Sequence, residues 1–278
     1  MNTKLSTRRE VVNSCVCVGL DTDLNKLPTH LRSEKFPQFA FNKAIIDSTH
    51  PYVCAYKPNM AFYEARGVEG MAELKMTMEY LQEKHPDIFT ICDAKRADIG
   101  STNEGYVKSI FDWFGFDAVT LHPYLGREAL QPFLEREDKV SIVLCRTSNP
   151  GAGELQDFQN ANGQPLWARV AEVVNKDWNA KDNCMLVVGA TYPEEMKKIR
   201  EIAPKMTFLV PGIGAQGGDL EKTLAAGLTK DKKGLVISSS RGIIFASSGA
   251  DFAEAAGKEA EKLQKEIQKF ISSSTLTS

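Results

Sequence analysis

ICDAKRADIGSTNEGY, residues 91–106, starts as the end of an apolar run and then places charges at positions 93, 95, 96 and 98. Side chains alternate faces along a strand. Ile91, Asp93 and Lys95 therefore point one way, and Cys92 and Ala94 the other. The first set can face the interior of a closed sheet, and the second can pack under helices. Ser101-Thr102-Asn103-Glu104 follows with capping-box spacing and predicts the start of a helix. The stretch reads as a buried strand, a charged end and a helix in succession.

The same unit recurs along the chain. Apolar runs stand at Cys15–Leu20, Tyr52–Lys57, Ile88–Lys95, Asp117–Leu121, Ser141–Cys145, Cys184–Ala190, Thr207–Pro211 and Gly234–Ser238. They do not alternate cleanly with polar residues, as expected of strands covered on both faces. Amphipathic segments lie between them, among them FAFNKAIIDSTH, VEGMAELKMTMEYLQEK, PLWARVAEVVNKDW, PEEMKKIREIA and LEKTLAAGL; the last helix is expected over Asp251–Ile271. Eight strands alternating with about eight helices predict an α/β fold with a parallel sheet, closed as a (β/α)8 TIM barrel. An open doubly wound sheet is the alternative, but no Gly-x-Gly-x-x-Gly follows the first run. No linker or composition shift divides the chain, so residues 1–271 are expected to form one domain. The polar end SSSTLTS, residues 272–278, is expected to be a disordered tail.

The chain has 278 residues, 42% of them hydrophobic, and a net charge of -2 from 34 basic and 36 acidic residues. That balance argues against a general nucleic-acid binder, so any bound anion must be held by a local site. The first residues, MNTKLSTRREVVNS, contain no apolar stretch of signal-peptide type, and no run is long enough to span a membrane. Six cysteines lie in or beside the apolar runs, and none forms a Cys-x-x-Cys pair. They read as buried free thiols in a reducing cytoplasm.

In such a barrel, function gathers at the C-terminal strand ends. There the sequence offers Gly19-Leu20-Asp21, then Lys57-Pro58-Asn59, then Asp93, Lys95 and Asp98. His122-Pro123 and Arg146 to Gly151 follow, then Pro211 to Gly218 and Ser238 to Gly242. A lysine held between carboxylates keeps its charged form, and it can hand a proton to a developing carbanion. A structural ion-pair network would leave the same signature, but the matching charges at the first two strand ends favour a site. The glycine-rich turns after the last two strands have the look of a phosphate cradle, with Gln216 as a donor and Arg241 as an anion partner. Tight turns alone would also call for glycine; the signal in both loops favours phosphate. The long connection from Arg146 to about Gln164 marks a functional loop. His30, His50 and His85 read as surface or capping groups near helix ends. His122 has no company at metal-ligand spacing, and no metal site is expected. Trp113, Trp167 and Trp178 are expected to pack from helices, and Met71, Met76 and Met78 to form one helix face.

These residues resemble the orotidine 5'-phosphate decarboxylase family. Asp93-Ala94-Lys95-Arg96-Ala97-Asp98-Ile99 with Thr102 matches the signature Asp-x-Lys-x-x-Asp-Ile followed shortly by Thr. Gly19-Leu20-Asp21, Lys57-Pro58-Asn59, the Gln216 loop and Ser240-Arg241-Gly242 also fit. Thr147 to Gly151, TSNPG, is similar to a run found in certain bacterial and protist members. The match runs from Asp21 to Arg241.

The resemblance implies decarboxylation of orotidine 5'-monophosphate to UMP, the last step of de novo pyrimidine synthesis, with neither metal nor cofactor. It implies that Lys95 protonates C6, with Asp93 beside the substrate carboxylate. Asp21 and Lys57 would hold the ribose hydroxyls, Lys57 also joining the charged array, while Ser148 would recognise the pyrimidine. Gln216 and Arg241, with Gly242 behind, would grip the phosphate. Asp98 and Thr102 would reach the neighbouring subunit's substrate across a homodimer interface. Family members can be fused to orotate phosphoribosyltransferase, although no phosphoribosyl-diphosphate segment is evident in this chain. A cytoplasmic enzyme without nucleic-acid or membrane partners is expected. His122 stands where the family more often has Asn. A Mg2+-dependent hexulose-phosphate synthase-like aldolase and a non-catalytic phosphate-binding barrel are the alternatives.

Overall fold

The computed structural model describes residues 3–213 and 218–273. Eight parallel strands close into a barrel in chain order, with β8 pairing back onto β1. They are β1 Val16–Val18, β2 Ala55–Tyr56, β3 Phe89–Arg96 and β4 Ala118–Leu121. β5 Val140–Arg146, β6 Cys184–Val188, β7 Phe208–Pro211 and β8 Leu235–Ser239 complete the ring. Each apolar run of the sequence supplies one strand.

Two sets of side chains leave the sheet on opposite faces. Cys17, Cys54, Phe89, Ile91, Ala118, Ile142, Val187, Leu209 and Val236 cluster in the barrel interior. Val16, Val18, Cys92, Val119, Val143, Leu186, Val188 and Ile237 belong to the larger core beneath the helices. Covering both faces explains why the runs carry no polar alternation.

A helix follows every strand. In order these are Pro37–Thr49, Gly67–Lys84, Gly100–Val107, Gly126–Leu134, Leu166–Val173, Pro193–Ile202, Leu220–Gly227 and Phe252–Ser273. Two of them run on as π-helical turns, Lys108–Trp113 and Val174–Trp178. The wider turn ends each helix on a tryptophan. Trp178 packs inward, whereas Trp113 packs edge-on against Phe114 and stays 52% exposed.

An additional helix, Thr3–Val12, closes the N-terminal end of the barrel. Leu5 from this helix enters the interior cluster. Buried Arg8 donates from Nε to the Val53 carbonyl (3.1 Å), and also to the His50 carbonyl and to Asp87. Its sequence lacks a continuous apolar stripe, and that is why periodicity did not reveal it.

Two local expectations are corrected. The helix after β3 begins at Gly100 with Ile99 in the capping position and no side-chain cap, so Ser101–Glu104 do not form a capping box. Asn103 does the work instead: its side chain accepts from the Asp98 N–H (2.9 Å) and donates to the Asp98 and Ala129 carbonyls. At the other end, Ser272 and Ser273 continue the last helix, and residues 274–278 of the expected tail lie outside the described residues.

All six cysteines are free and buried. Among the described residues no helix is long and apolar enough to cross a membrane.

Candidate active site

The C-terminal strand ends surround a cavity of about 470 Å³. Its lining includes Asp21, Lys57, Asp93, Lys95, Ser148 and Arg241, gathered from the ends of five strands distant in sequence. Asn59, Thr120, Thr147, Asn149, Gln156 and the stretch Ser238–Ser240 add further polar groups to its wall.

Asp93 is the hub. Its Oδ2 accepts from Lys57 Nζ at 2.9 Å, and its Oδ1 accepts from Lys95 Nζ at 2.7 Å. A further bond to Oδ1 comes from Thr120 Oγ1 at 2.9 Å. Burial alone would raise the Asp93 pKa, but Lys57 and Lys95 outweigh it and hold the carboxyl well below the usual range. Burial likewise opposes the charge on Lys57. Asp93 and then Asp21 overcome it, so the Lys57 pKa rises. The result is a charged array in which Lys57 is buried and Asp93 largely so, and between these two electrostatic forces act with less screening than in water.

Lys95 departs from strand geometry. Its φ is +48°, in the left-handed region, and the β3–β4 register shifts between Cys92 and Arg96. The simple alternation that puts Asp93 and Lys95 on one face therefore breaks at the residue of interest. The turn still brings Nζ onto Asp93 while leaving the side chain half exposed at the cavity mouth.

Asp21 follows β1 with Oδ1 buried and without a hydrogen-bond partner among the described residues. A buried carboxylate oxygen of this kind is a strong acceptor for a ligand hydroxyl or N–H. Its neighbourhood is tight: a Cβ on Gly19 would lie 2.8 Å from Ser240 Cβ and 3.3 Å from Asp21 Oδ2. Glycine at position 19 lets the β1 and β8 ends close on each other.

The β5 end carries a feature given no role in the sequence reading. Arg146 is 2% exposed and lies over the Tyr192 ring, 3.8 Å from its centroid. It donates to Gln156 (3.4 Å) and Asp157 (3.3 Å). Gln156 in turn accepts from the Thr147 N–H (2.9 Å) and donates to its hydroxyl (2.8 Å). This lattice braces the loop that presents Ser148. A buried arginine ending an apolar run was a readable signal, because arginine is almost never buried without partners.

Not every expected residue lines the cavity. Asp98 and Thr102 stand on the loop and first helical turn after β3, outside its wall; Asp98 Oδ1 accepts from the Ile99 N–H. Gly242 is exposed, next to Arg241 in the single turn Arg241–Ile244. Gln216 lies outside the described residues, though Gly212 and Ile213 at the near end of its loop reach the cavity. His122 is half-buried and does not line it. Among the described residues no group of three His, Cys, Asp or Glu side chains could hold a metal ion.

Residues 14–256 match the model of the orotidine 5'-phosphate decarboxylase / HUMPS family. The orotidine 5'-phosphate decarboxylase of Christiangramia forsetii is 52% identical over 233 residues, covering 84% of this chain and 85% of that one. That of Halorubrum lacusprofundi is 50% identical over 246 residues, covering 87% and 86%. Among solved structures, Leishmania donovani OMP decarboxylase superposes with a TM-score of 0.84 at 36% identity and 98% coverage of both chains. Leishmania donovani UMP synthase superposes with a TM-score of 0.86 at 38% identity, with 97% of this chain matched; the chain spans only 56% of that protein's length.

Proposed function

The chain belongs to the orotidine 5'-phosphate decarboxylase / HUMPS family, and on that premise we infer that it converts orotidine 5'-monophosphate to UMP in pyrimidine synthesis. It is a carboxy-lyase. The observation that carries this reading is Asp93 held between Lys57 and Lys95 at the mouth of the barrel.

We propose the following division of labour. Arg241, Gly242 and the Gln216 loop hold the phosphate. Asp21 and Lys57 take the ribose hydroxyls, a role supported by the unpartnered buried Oδ1 of Asp21. Ser148, on its braced loop, meets the pyrimidine. The substrate carboxylate then lies against Asp93. The C6–carboxylate bond breaks, CO2 leaves, and the bonding pair stays on C6. The Lys95 ammonium gives that carbon a proton and is afterwards recharged from water.

A C6 carbanion has no built-in electron sink, so its stabilisation must come from charges fixed in place beforehand. The Lys57–Asp93–Lys95 array, fixed by two ion pairs, is such an arrangement, and energy from gripping the remote phosphate can keep the loops closed over it. Asp98 and Thr102 lie outside their own chain's cavity. In this reading they serve the neighbouring subunit's substrate in a homodimer. The enzyme works in the cytoplasm, alone or joined to an orotate phosphoribosyltransferase.

Ultraviolet-monitored loss of orotidine 5'-monophosphate, with EDTA present, tests the reading. Wild type is expected to turn over with the chelator, while Lys95→Ala loses at least ~1000-fold in kcat, as expected for a group acting on the reacting atom. A folded wild type that needs added Mg2+ and acts on a sugar phosphate instead would replace this reading with the aldolase.

A further inference from the structure

Thr120 stands on β4 with its side chain directed inward, 1% exposed, on the wall of the cavity. Its Oγ1 lies 2.9 Å from the backbone N of Lys95 and 2.9 Å from Asp93 Oδ1. These neighbours assign the hydroxyl its roles. A backbone N–H can only donate and an ionised carboxylate can only accept. The oxygen therefore accepts from Lys95, and the hydroxyl proton goes to Asp93.

Both bonds act where the site is under tension. Lys95 is held in the left-handed region, which is unfavourable for a residue with a side chain. The strand ladder slips between Cys92 and Arg96, and the Lys95 N–H takes the Thr120 hydroxyl as its partner instead of a β4 carbonyl. At the other end, the same hydroxyl orients the Asp93 carboxylate. With Oδ1 facing Thr120 and Lys95, Oδ2 is left for Lys57.

We propose that Thr120 is a positioning residue for the proton-donating lysine. One hydroxyl secures the turn that aims Lys95 into the cavity and the carboxylate plane that receives both lysines. The inference deepens the reading above and rests on Lys95 as the proton donor. Nothing in the family signature marks this position. The local cue is a hydroxyl at an inward-facing place in the apolar run DAVTL.

Thr120→Val keeps the shape and removes the hydroxyl, Thr120→Ser keeps the hydroxyl and removes the methyl, and Thr120→Ala removes both. Each is assayed on orotidine 5'-monophosphate beside wild type and Lys95→Ala, after circular dichroism and a thermal melt. Thr120→Val is expected to lose ~10–100-fold in kcat with KM within about 3-fold, the scale set by losing a buried hydrogen-bond partner and misaiming a reacting group. Thr120→Ser is expected within about 3-fold of wild type, because its hydroxyl can make both bonds. If Thr120→Val does not fold, the comparison of Thr120→Ala with Thr120→Ser decides in the same way. Wild-type kcat in Thr120→Val, an equal loss in Thr120→Ser, or a loss confined to KM would overturn the proposal. Full turnover by Lys95→Ala would remove the proton-donor reading and this one with it. An inactive Lys95→Ala beside a fully active Thr120→Val would remove this one alone.

Discussion

Lys95, the proposed proton donor, stands where β3 leaves regular strand geometry. A regular continuation of β3 would satisfy its N–H in the ladder; here the chain accepts a left-handed residue and a register shift, and the N–H is met by the Thr120 side chain of β4. Gly189 is a second residue whose identity is set by proximity. It follows β6, and a Cβ there would lie 2.8 Å from Ser148 Cβ and 2.9 Å from Ser148 N. The backbone of the Ser148 loop leaves no room for it. Gly189→Ala is expected to push that loop away and lower kcat/KM by ~10-fold or more, with the ~1–3 kcal/mol loss of stability typical of overpacking. Steady-state kinetics and urea unfolding measure the two effects. Unchanged kcat/KM would mean that the loop yields without moving Ser148, or that Ser148 does not meet the substrate.

At the scale of elements, the helix Thr3–Val12 is joined to the barrel in two ways. Leu5 fills the interior at the end opposite the cavity, and Arg8 ties the carbonyls of His50 and Val53 to Asp87. Lys4 adds a bond to Asp117 (2.7 Å), whose carboxylate also accepts from the Thr90 N–H and hydroxyl at the start of β3. The helix therefore closes the barrel floor. Leu5→Ala is expected to destabilise the fold by about 2–5 kcal/mol, the cost of a cavity in a close-packed core. Because the groups proposed to act on the substrate sit at the other end, kcat at a permissive temperature should stay near wild type. Denaturant unfolding with a parallel assay checks both. A loss below about 1 kcal/mol would mean that the interior collapses around the missing side chain or that the helix is dispensable.

For the whole molecule, the eight-stranded ring brings together residues from position 21 to position 241 around one cavity, yet leaves Asp98 and Thr102 outside it. The shared-site reading makes them the contribution of a second copy. Mixing Lys95→Ala chains with Asp98→Ala chains tests it. Neither parent should be active, and random two-fold pairing should restore about one site in four. No recovery in dimers shown to be mixed would place Asp98 in its own chain's chemistry or in none.

Much of this was legible in the sequence. The eight strands and their alternation with helices follow from apolar runs too continuous for a sheet wetted on one face, and that pattern needs no tertiary information. The order of polar residues at the strand ends was equally readable, because a parallel barrel sends every strand's C-terminus to the same face. The N-terminal helix was hidden because its hold on the barrel is one leucine and the polar contacts of Lys4 and Arg8 rather than an apolar stripe. The two hydrogen bonds of Thr120, to Asp93 and to the Lys95 N–H, were invisible because they join β4 to β3 across the barrel wall, and the bracing of the Ser148 loop by Arg146 and Gln156 because it depends on how that loop folds back on the β5 end. Local pattern decides which segments become strands and which end of each carries charge. Closure of the ring decides which charges meet, because hydrogen bonding and charge pairing depend on separation in space rather than along the chain.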